Sequence, residues 1–521
     1  MTQRAEQFSS RWAMMFAMLG MAVGTGNIWR FPRIAANNGG GTFLVAWVVF
    51  LLLWSVPLIL VEFAIGKYTR YGTVGSFARI MGKKYAWMGA WVAWVAIAIM
   101  FYYAVVAGWT IRYSVAAIMG QIPGERPGAL WGAFAYTPSA AFYQAIAFGL
   151  GVIVVARGVK GIETAARVLI PSLFVLVVVL AIRAVTLPGA ADGLNFLFTP
   201  HWGELAHPKV WLEALTQNAW DTGAGWGLVL TYAIYLRRRE DNVLNAFMLG
   251  FGNNTVSLLA GIMVLCTVFS VVPQLATAFA AQPEALSAYP ALADAVRAGQ
   301  ALTPELIRGA IVGGGNEGLT FIWVPQLFAR LPAGRFFMIL FFLALFFAAW
   351  TSLISMIELT ARVLVDAGLS RGRAIAVVGI VGYLLGVPSA LNRDFFNNQD
   401  FVWGVGLMIS GLFFALAVFR FGVRRFREQL VNTADADIRV GAGWEWAIRF
   451  VVVEAIVLVV WWFLNVRGED PWGPFGIANM SVQFVVALVI LAALNGWLVR
   501  RTKPDIDRGE PPEGETVPSI P

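Results

Sequence analysis

The sequence predicts an all-α membrane protein of twelve transmembrane helices, with the first and sixth broken at their centres, built as two inverted five-helix repeats plus two extra helices. Three observations carry that prediction. Of the 521 residues, 59% are hydrophobic and 13% charged, and the mean hydropathy is +0.70, which no soluble domain would show. Segments of about 20 apolar residues recur from end to end, each long enough to cross a hydrocarbon core roughly 30 Å thick. Two of them are interrupted: one reads Ala22-Val23-Gly24-Thr25-Gly26-Asn27-Ile28-Trp29-Arg30, the other Gln217-Asn218-Ala219-Trp220-Asp221-Thr222-Gly223-Ala224-Gly225. At bilayer depth each unpaired backbone N–H or C=O costs several kcal/mol, so a break persists only where the freed groups line a cavity or bind something. Two breaks in corresponding halves of a chain point to a transporter site.

Taken in order, the spans run Arg11 to Ala35, Thr42 to Tyr68, Tyr85 to Met119, Ala141 to Ala156, Ala165 to Ala184, Val210 to Leu236, Asn242 to Val271, Phe336 to Val365, Ala374 to Val387, Asp400 to Phe421, Trp446 to Leu464 and Ile477 to Val499. The polar segment 1–10 precedes them; it lacks a short apolar core with a cleavage site and is not a signal peptide. The first repeat occupies 11–184, a loop 185–209, the second repeat 210–424, and the two extra helices 425–500. The tail 501–521, rich in Pro, Gly and acids, reads as disordered.

An even number of spans puts both termini on one side. Basic residues flank the spans on that side: Arg70, Arg79, Lys83 and Lys84, then Arg157 and Lys160, Arg237 to Arg239, Arg371 and Arg373, Arg420 to Arg427, and Arg500 to Lys503. By the positive-inside rule both termini are cytoplasmic. The long connection 272–335 then lies outside, and its Thr303-Pro304-Glu305 run signals a helix start. Gly313-Gly314-Gly315-Asn316 lacks the following Lys-Ser/Thr of a phosphate loop and reads as a turn.

Several function classes drop out. The net charge of +8 is spread in short clusters between apolar segments, so it marks topology and not a nucleic-acid surface. Cys266 is the only cysteine, so there is no intrachain disulfide, and its apolar surroundings suit packing. His201 and His207 share one loop without metal spacing or a nucleophile partner, and no enzyme is expected.

Gly20 through Pro32, Asn37-Asn38-Gly39-Gly40-Gly41, Glu62, Tyr102-Tyr103, Ala191-Asp192-Gly193-Leu194-Asn195-Phe196 and Thr351-Ser352 resemble the neurotransmitter:sodium symporters, over nearly the whole chain. The resemblance implies a bacterial member of that family, in the plasma membrane, which couples sodium to import of a small amino acid or related amine by alternating access, as a monomer or homodimer. A transporter of a cationic amine or osmolyte, or a non-transporting sensor with the same fold, is the competing reading. The residues themselves agree: unwinding frees carbonyls, the second half-helix aims its positive end into the gap, and Asn27 adds a side-chain oxygen, which suits a cation beside a carboxylate.

By resemblance one sodium ion is held at Gly20, Val23, Ala348, Thr351 and Ser352, and a second at Ala22, Asn27, Asp221 and Asn253. An isolated Thr-Ser pair in a membrane helix would instead bond back to its own carbonyls. Asp221 departs from the family, which usually has Ser or Thr there. An ionised aspartate at the bilayer centre costs about 2.5–3.5 kcal/mol on insertion scales, so it needs a cation or a neutralising proton. Three roles stay open: direct ligation of sodium, pairing with a substrate ammonium, or titration that couples transport to protons. Ser257 and Gln217 are remnants of the family's chloride site, whereas Trp47 replaces its tyrosine and an anion beside Asp221 would be repelled. Chloride independence is the expectation.

The resemblance places the substrate against Ala22, Gly24, Thr25, Gly26, Ile99, Tyr103, Trp220, Asp221, Gly223, Trp226, Ser352 and Met356. Amine-transporting relatives carry an aspartate at Gly24, so the glycine leaves room for a substrate carboxylate. Arg30 and Asp400 match the outer gate. Asp366 matches the inner-gate acid, with Arg4 as its nearest arginine because Ala5 occupies the matching position, and Phe8 replaces a tryptophan, so inner closure is weaker or rebuilt.

Overall fold

The computed structural model describes residues 6–124, 127–237, 239–433, 436–465 and 470–502. Arg4, Ala5 and almost all of the 501–521 tail lie outside them. The described residues are helical throughout, without a strand. Nine helices are long and apolar enough to cross a membrane, and the bent pair Ile477–Ala493 and Asn495–Arg501 makes a tenth. The first and sixth spans complete the twelve; their halves are individually too short to qualify.

Span 1 runs Arg11–Ala22, capped by the Ser10 hydroxyl, which accepts from the Ala13 N–H. Val23 turns extended, a π-turn follows over Gly26–Arg30, and the helix resumes at Phe31–Asn37 with Pro32 in its first turn. Span 6 runs Pro208–Asp221 and resumes at Leu228–Ala233. Between these halves Gly223, Gly225 and Gly227 sit at φ of +72°, +86° and +77°, where a side chain would strain the backbone, so the glycines fix the break.

Freed amides in that break find a buried acid. Glu62, on the span-2 helix Val56–Thr69 and fully buried, accepts the Gly225 N–H at Oε1 (2.7 Å) and the Leu230 N–H at Oε2 (3.0 Å). It thereby caps the second half-helix through both carboxyl oxygens. Spans 8 and 10 each pack along span 3 beside the breaks. Exposed apolar side chains gather on the outer helices, among them Phe142, Val175, Ile182, Ile380, Leu384 and Val453, which suits contact with lipid tails.

Several span ends differ from expectation, each for a local reason. Span 10 begins seven residues earlier, at Arg393, because the Asn392 side chain caps it by accepting the Phe395 N–H. Span 7 continues through Pro273 to Ala281, and span 9 runs Arg371–Leu391 with Pro388 inside it. Span 12 bends by 55° before Asn495 and reaches Arg501, where a tail was expected. The loop 185–209 contains the helix Ala190–Phe198. In the long connection the predicted start is found: the Thr303 hydroxyl caps Pro304–Gly313.

Candidate functional site

The two breaks meet in one cavity of about 660 Å³ that runs from the unwound segments up to the start of span 10 and to residues 314–317, where the turn expected over Gly313–Asn316 is confined to Gly314 between two helices. Ala22, Gly24, Thr25, Gly26, Tyr103, Trp220, Asp221, Gly223, Trp226, Ser352 and Met356 all line it. Ile99 does not: it is fully buried behind the wall. The resemblance placed it in the lining; it sits on span 3 one turn before Tyr103, inside the packed interior.

At the first break the Tyr103 hydroxyl accepts from the Thr25 N–H (3.1 Å) and lies 3.3 Å from the Thr25 hydroxyl. A Cβ on Gly24 would come within 2.9 Å of both Ser352 Oγ and Tyr103 Oη, so any side chain there displaces those groups. Ser352 Oγ lies 3.5, 3.3 and 3.4 Å from the carbonyl oxygens of Gly20, Met21 and Val23. Its neighbour behaves otherwise: the Thr351 hydroxyl bonds back to Phe347 (2.9 Å) and Ala348 (3.2 Å) carbonyls of its own helix. Gly20 and Thr351 are nonetheless adjacent, since a Cβ on Gly20 would stand 3.2 Å from that of Thr351. The five residues converge, with one hydroxyl turned inward and one turned along the helix.

Asp221 is 2% exposed at the end of the first half of span 6. Its Oδ2 accepts from Gln217 Nε2 and from the Ser257 hydroxyl, both at 3.1 Å. Its Oδ1 is buried with no hydrogen-bond partner among the described residues. Gln217 and Ser257 are thus both turned onto one carboxylate oxygen, while the other has no partner there. Trp47 Nε1 is also without a partner there, its ring packed on Phe31 at 4.7 Å. Asn27 Nδ2 donates to Asn253 Oδ1 (2.9 Å) and Ser257 Oγ (2.8 Å), and its Oδ1 accepts the Gly24 N–H (2.8 Å). The structure therefore brings Asn27, Asp221, Ser257 and Asn253 together, with Asn27 spanning the first break.

Gln217 also reaches upward: its Oε1 accepts Arg30 Nη1 at 2.5 Å. In this conformer Arg30 stands over the Trp220 ring, 6.0 Å from its centroid, and Asp400 lies on the cavity wall with it. Higher still, Arg33 Nε donates to Asn316 (2.7 Å), and Glu317 accepts the Tyr136 hydroxyl at 2.5 Å. Burial holds the Glu317 carboxyl above the ordinary carboxylate range, against the opposing pull of the Tyr136 bond and Arg393.

The opposite end is closed. Phe8 packs edge-on against Tyr232 and Tyr235, and its N–H donates to the Tyr235 carbonyl at 3.1 Å. The fully buried Glu358 accepts the Tyr235 hydroxyl (2.5 Å) and a two-pronged contact from Arg371 (3.2 and 2.7 Å). Asp366 pairs with Arg362 at 2.9 Å and accepts the Gly72 N–H at 2.6 Å. Arg362, one turn earlier on the same helix, was missed as a neighbour of Asp366, and its i,i+4 spacing was the available signal; Arg4, matched to Asp366 by resemblance, lies outside the described residues. Glu358 and Arg371 were missed; a lone acid near the end of an apolar span, followed by an arginine across a short turn, was their only trace.

Broken helices that face one another across a largely apolar cavity with a few convergent polar groups, closed off at one end by buried ion pairs, are the architecture of a secondary membrane transporter. The sequence model of the Sodium:neurotransmitter symporter family matches residues 5–140 and 141–494, and the chain belongs to that family. It is 30% identical to the uncharacterised sodium-dependent transporter YhdH of Bacillus subtilis, over 89% of this chain and 98% of that protein. The sodium-dependent serotonin transporter of Drosophila melanogaster is 26% identical over 89% of this chain and 76% of its own length. The crystal structure of MhsT in complex with L-phenylalanine superposes with a TM-score of 0.72 at 29% identity, covering 87% of this chain and 99% of that one. The protein is accordingly a sodium-dependent transporter of a small molecule, embedded in the membrane, and not an enzyme.

Proposed function

We propose that the protein imports an amino acid with two sodium ions across a bacterial plasma membrane, both termini cytoplasmic, without a requirement for chloride. The observation that carries this reading is the carboxylate of Asp221, a residue of the cavity lining: one oxygen accepts from Gln217 and Ser257, and the other is buried without a partner among the described residues. A fixed carboxylate in an anion's place supplies the negative charge that a bound chloride would otherwise bring. The bare oxygen, with Asn27, Asn253 and the Ala22 carbonyl, is the proposed first sodium site. Ser352, Thr351 and the Gly20, Val23 and Ala348 carbonyls form the second.

Substrate would lie between the breaks, its carboxylate toward Gly24, Thr25 and Tyr103 and its side chain toward Trp220, Trp226 and Met356. Gly24 supports an amino acid, because no side-chain acid stands there to meet an amine. MhsT, whose complex holds L-phenylalanine, supports the same class. The conformer suits the outward-open stage: Arg30 is drawn to Gln217 and away from closure on Asp400, while Phe8, Glu358–Arg371 and Arg362–Asp366 seal the cytoplasmic end. Sodium would favour this form; substrate would draw Trp220 and Tyr103 together, and the outer pair would close before the inner contacts part.

A second reading draws on the same bare oxygen: Asp221 pairs with the ammonium of an amine or osmolyte. A thermal-shift screen of amino acids and amines, in sodium against choline and chloride against gluconate, separates the two. Stabilisation by an amino acid in sodium, indifferent to chloride, is expected. Stabilisation by amines alone, lost in Asp221→Asn, would support the second reading.

A further inference from the structure

Span 10 turns one face to the cavity, and along it Asp400, Gly404 and Met408 follow at i, i+4 spacing, with Phe401 and Val405 beside them. Gly404 is the notch in that row. A Cβ built on it would stand 2.3 Å from Cζ2 of Trp220, 3.0 Å from Cε2 and 3.3 Å from Cη2, so the six-membered ring of the indole lies against bare span-10 backbone. The ring is confined on its other sides. Trp226 meets it edge-on with centroids 5.8 Å apart, and is itself fixed by an Nε1 bond to the Ala219 carbonyl at 2.9 Å. Arg30 lies over its face.

We infer that Gly404 is a specificity-determining residue: by taking the edge of the Trp220 indole into span 10, it keeps the cavity beside that ring open to substrates with a bulky apolar side chain. The inference rests on the reading of this cavity as the substrate site. Two tryptophans at a break would be expected to shrink the pocket, since indole is larger than phenyl. The notch removes part of that volume from the pocket by seating it in the neighbouring helix. Carbon atoms in contact sit about 3.5–4.0 Å apart, so a methyl group at position 404 must push the ring by about 1 Å or more. Trp226 and Arg30 block the sideways routes, and the ring moves into the cavity. Met21, Met356, Val405 and Met408 line the space it would enter, which suits an apolar side chain.

The test compares four proteins: the parent, Gly404→Ala, Trp220→Phe, and the double variant. Sodium-dependent binding of glycine, alanine, leucine and tryptophan is measured for each, together with melting temperature in the absence of substrate. Gly404→Ala is expected to weaken leucine and tryptophan about tenfold or more, to change glycine and alanine less than about threefold, and to melt lower. Phenyl lacks the ring atoms that meet the new methyl, so Trp220→Phe restores both binding and melting in the Gly404→Ala background, a coupling that two unrelated lesions would not show. Should the single variant not fold, recovery of folded protein in the double variant is the same supporting result. Unchanged binding of all four amino acids by Gly404→Ala, or a double variant no better than the single one, overturns the inference. A parent that binds none of them, while Trp220→Phe still rescues the melting of Gly404→Ala, overturns the substrate-site reading and the specificity role with it, and leaves the Gly404–Trp220 contact standing.

Discussion

Replacing Asp221 separates its charge from its shape. Asparagine keeps the volume of a side chain that is 2% exposed, so packing is preserved. Its amide oxygen takes the place of Oδ2 between Gln217 Nε2 and Ser257 Oγ, each 3.1 Å away. That orientation puts an NH₂ where the bare Oδ1 stands, and the variant presents donors to a cation in place of a charge. A hydrogen bond or contact to a charged group contributes about 1.5–3 kcal/mol, and 1.4 kcal/mol is a factor of ten, so sodium affinity should fall about 10- to 100-fold. Serine tests the other half of the argument. It is shorter, leaves the Gln217 and Ser257 donors facing an empty space, and returns no charge, so a mobile anion gains a site and transport becomes chloride-dependent. The assay is sodium titration of thermal stability, and sodium-driven uptake, in chloride against gluconate. Sodium binding by Asp221→Asn within about twofold of the parent, or chloride-indifferent uptake by Asp221→Ser, would refute the reasoning.

Three further outcomes follow from the same geometry. Glu62→Ala orphans the buried amides of Gly225 and Leu230 at about 1–3 kcal/mol each, so it should melt well below the parent, with Glu62→Gln in between because it keeps an acceptor. Arg371→Ala leaves Glu358 buried beside Tyr235 without its counter-ion, a loss of about 3–5 kcal/mol that loosens the closed end; hydrogen exchange of residues 6–10 should rise, while sodium binding at the breaks stays unchanged. Ser352→Ala removes the one hydroxyl turned toward the Gly20, Met21 and Val23 carbonyls, so the Hill coefficient for sodium in uptake should drop from about 2 to about 1.

The architecture was legible because hydropathy and glycine act over short distances. Gly223 and Gly225 announce a break at φ values that residues with side chains rarely adopt, and Asp221 announces itself as a charge in an apolar run. What holds that charge was only half legible. Gln217 lies four residues before Asp221 on one helix and can be read from spacing, but Ser257 comes from span 7, and only packing brings the two donors onto one oxygen. Glu62 was visible as a motif residue; its work as a cap for the second half-helix depends on span 2 crossing the span-6 break. Ile99, placed at the pocket by resemblance, lies behind the cavity wall, because a match of positions carries no information on how deep the side chain sits. Thr351 and Ser352 are adjacent letters with divergent hydroxyls, a difference set by their positions around the helix. Hydropathy also places span ends poorly where a polar cap such as Asn392 starts a helix outside the apolar stretch.

The most direct measurement is uptake of labelled amino acid into proteoliposomes under an imposed sodium gradient, with chloride replaced throughout by gluconate. The Asp221 account predicts concentrative uptake that collapses when choline replaces sodium and proceeds at the same rate without chloride. Uptake that needs chloride, or that ignores the sodium gradient, would contradict it.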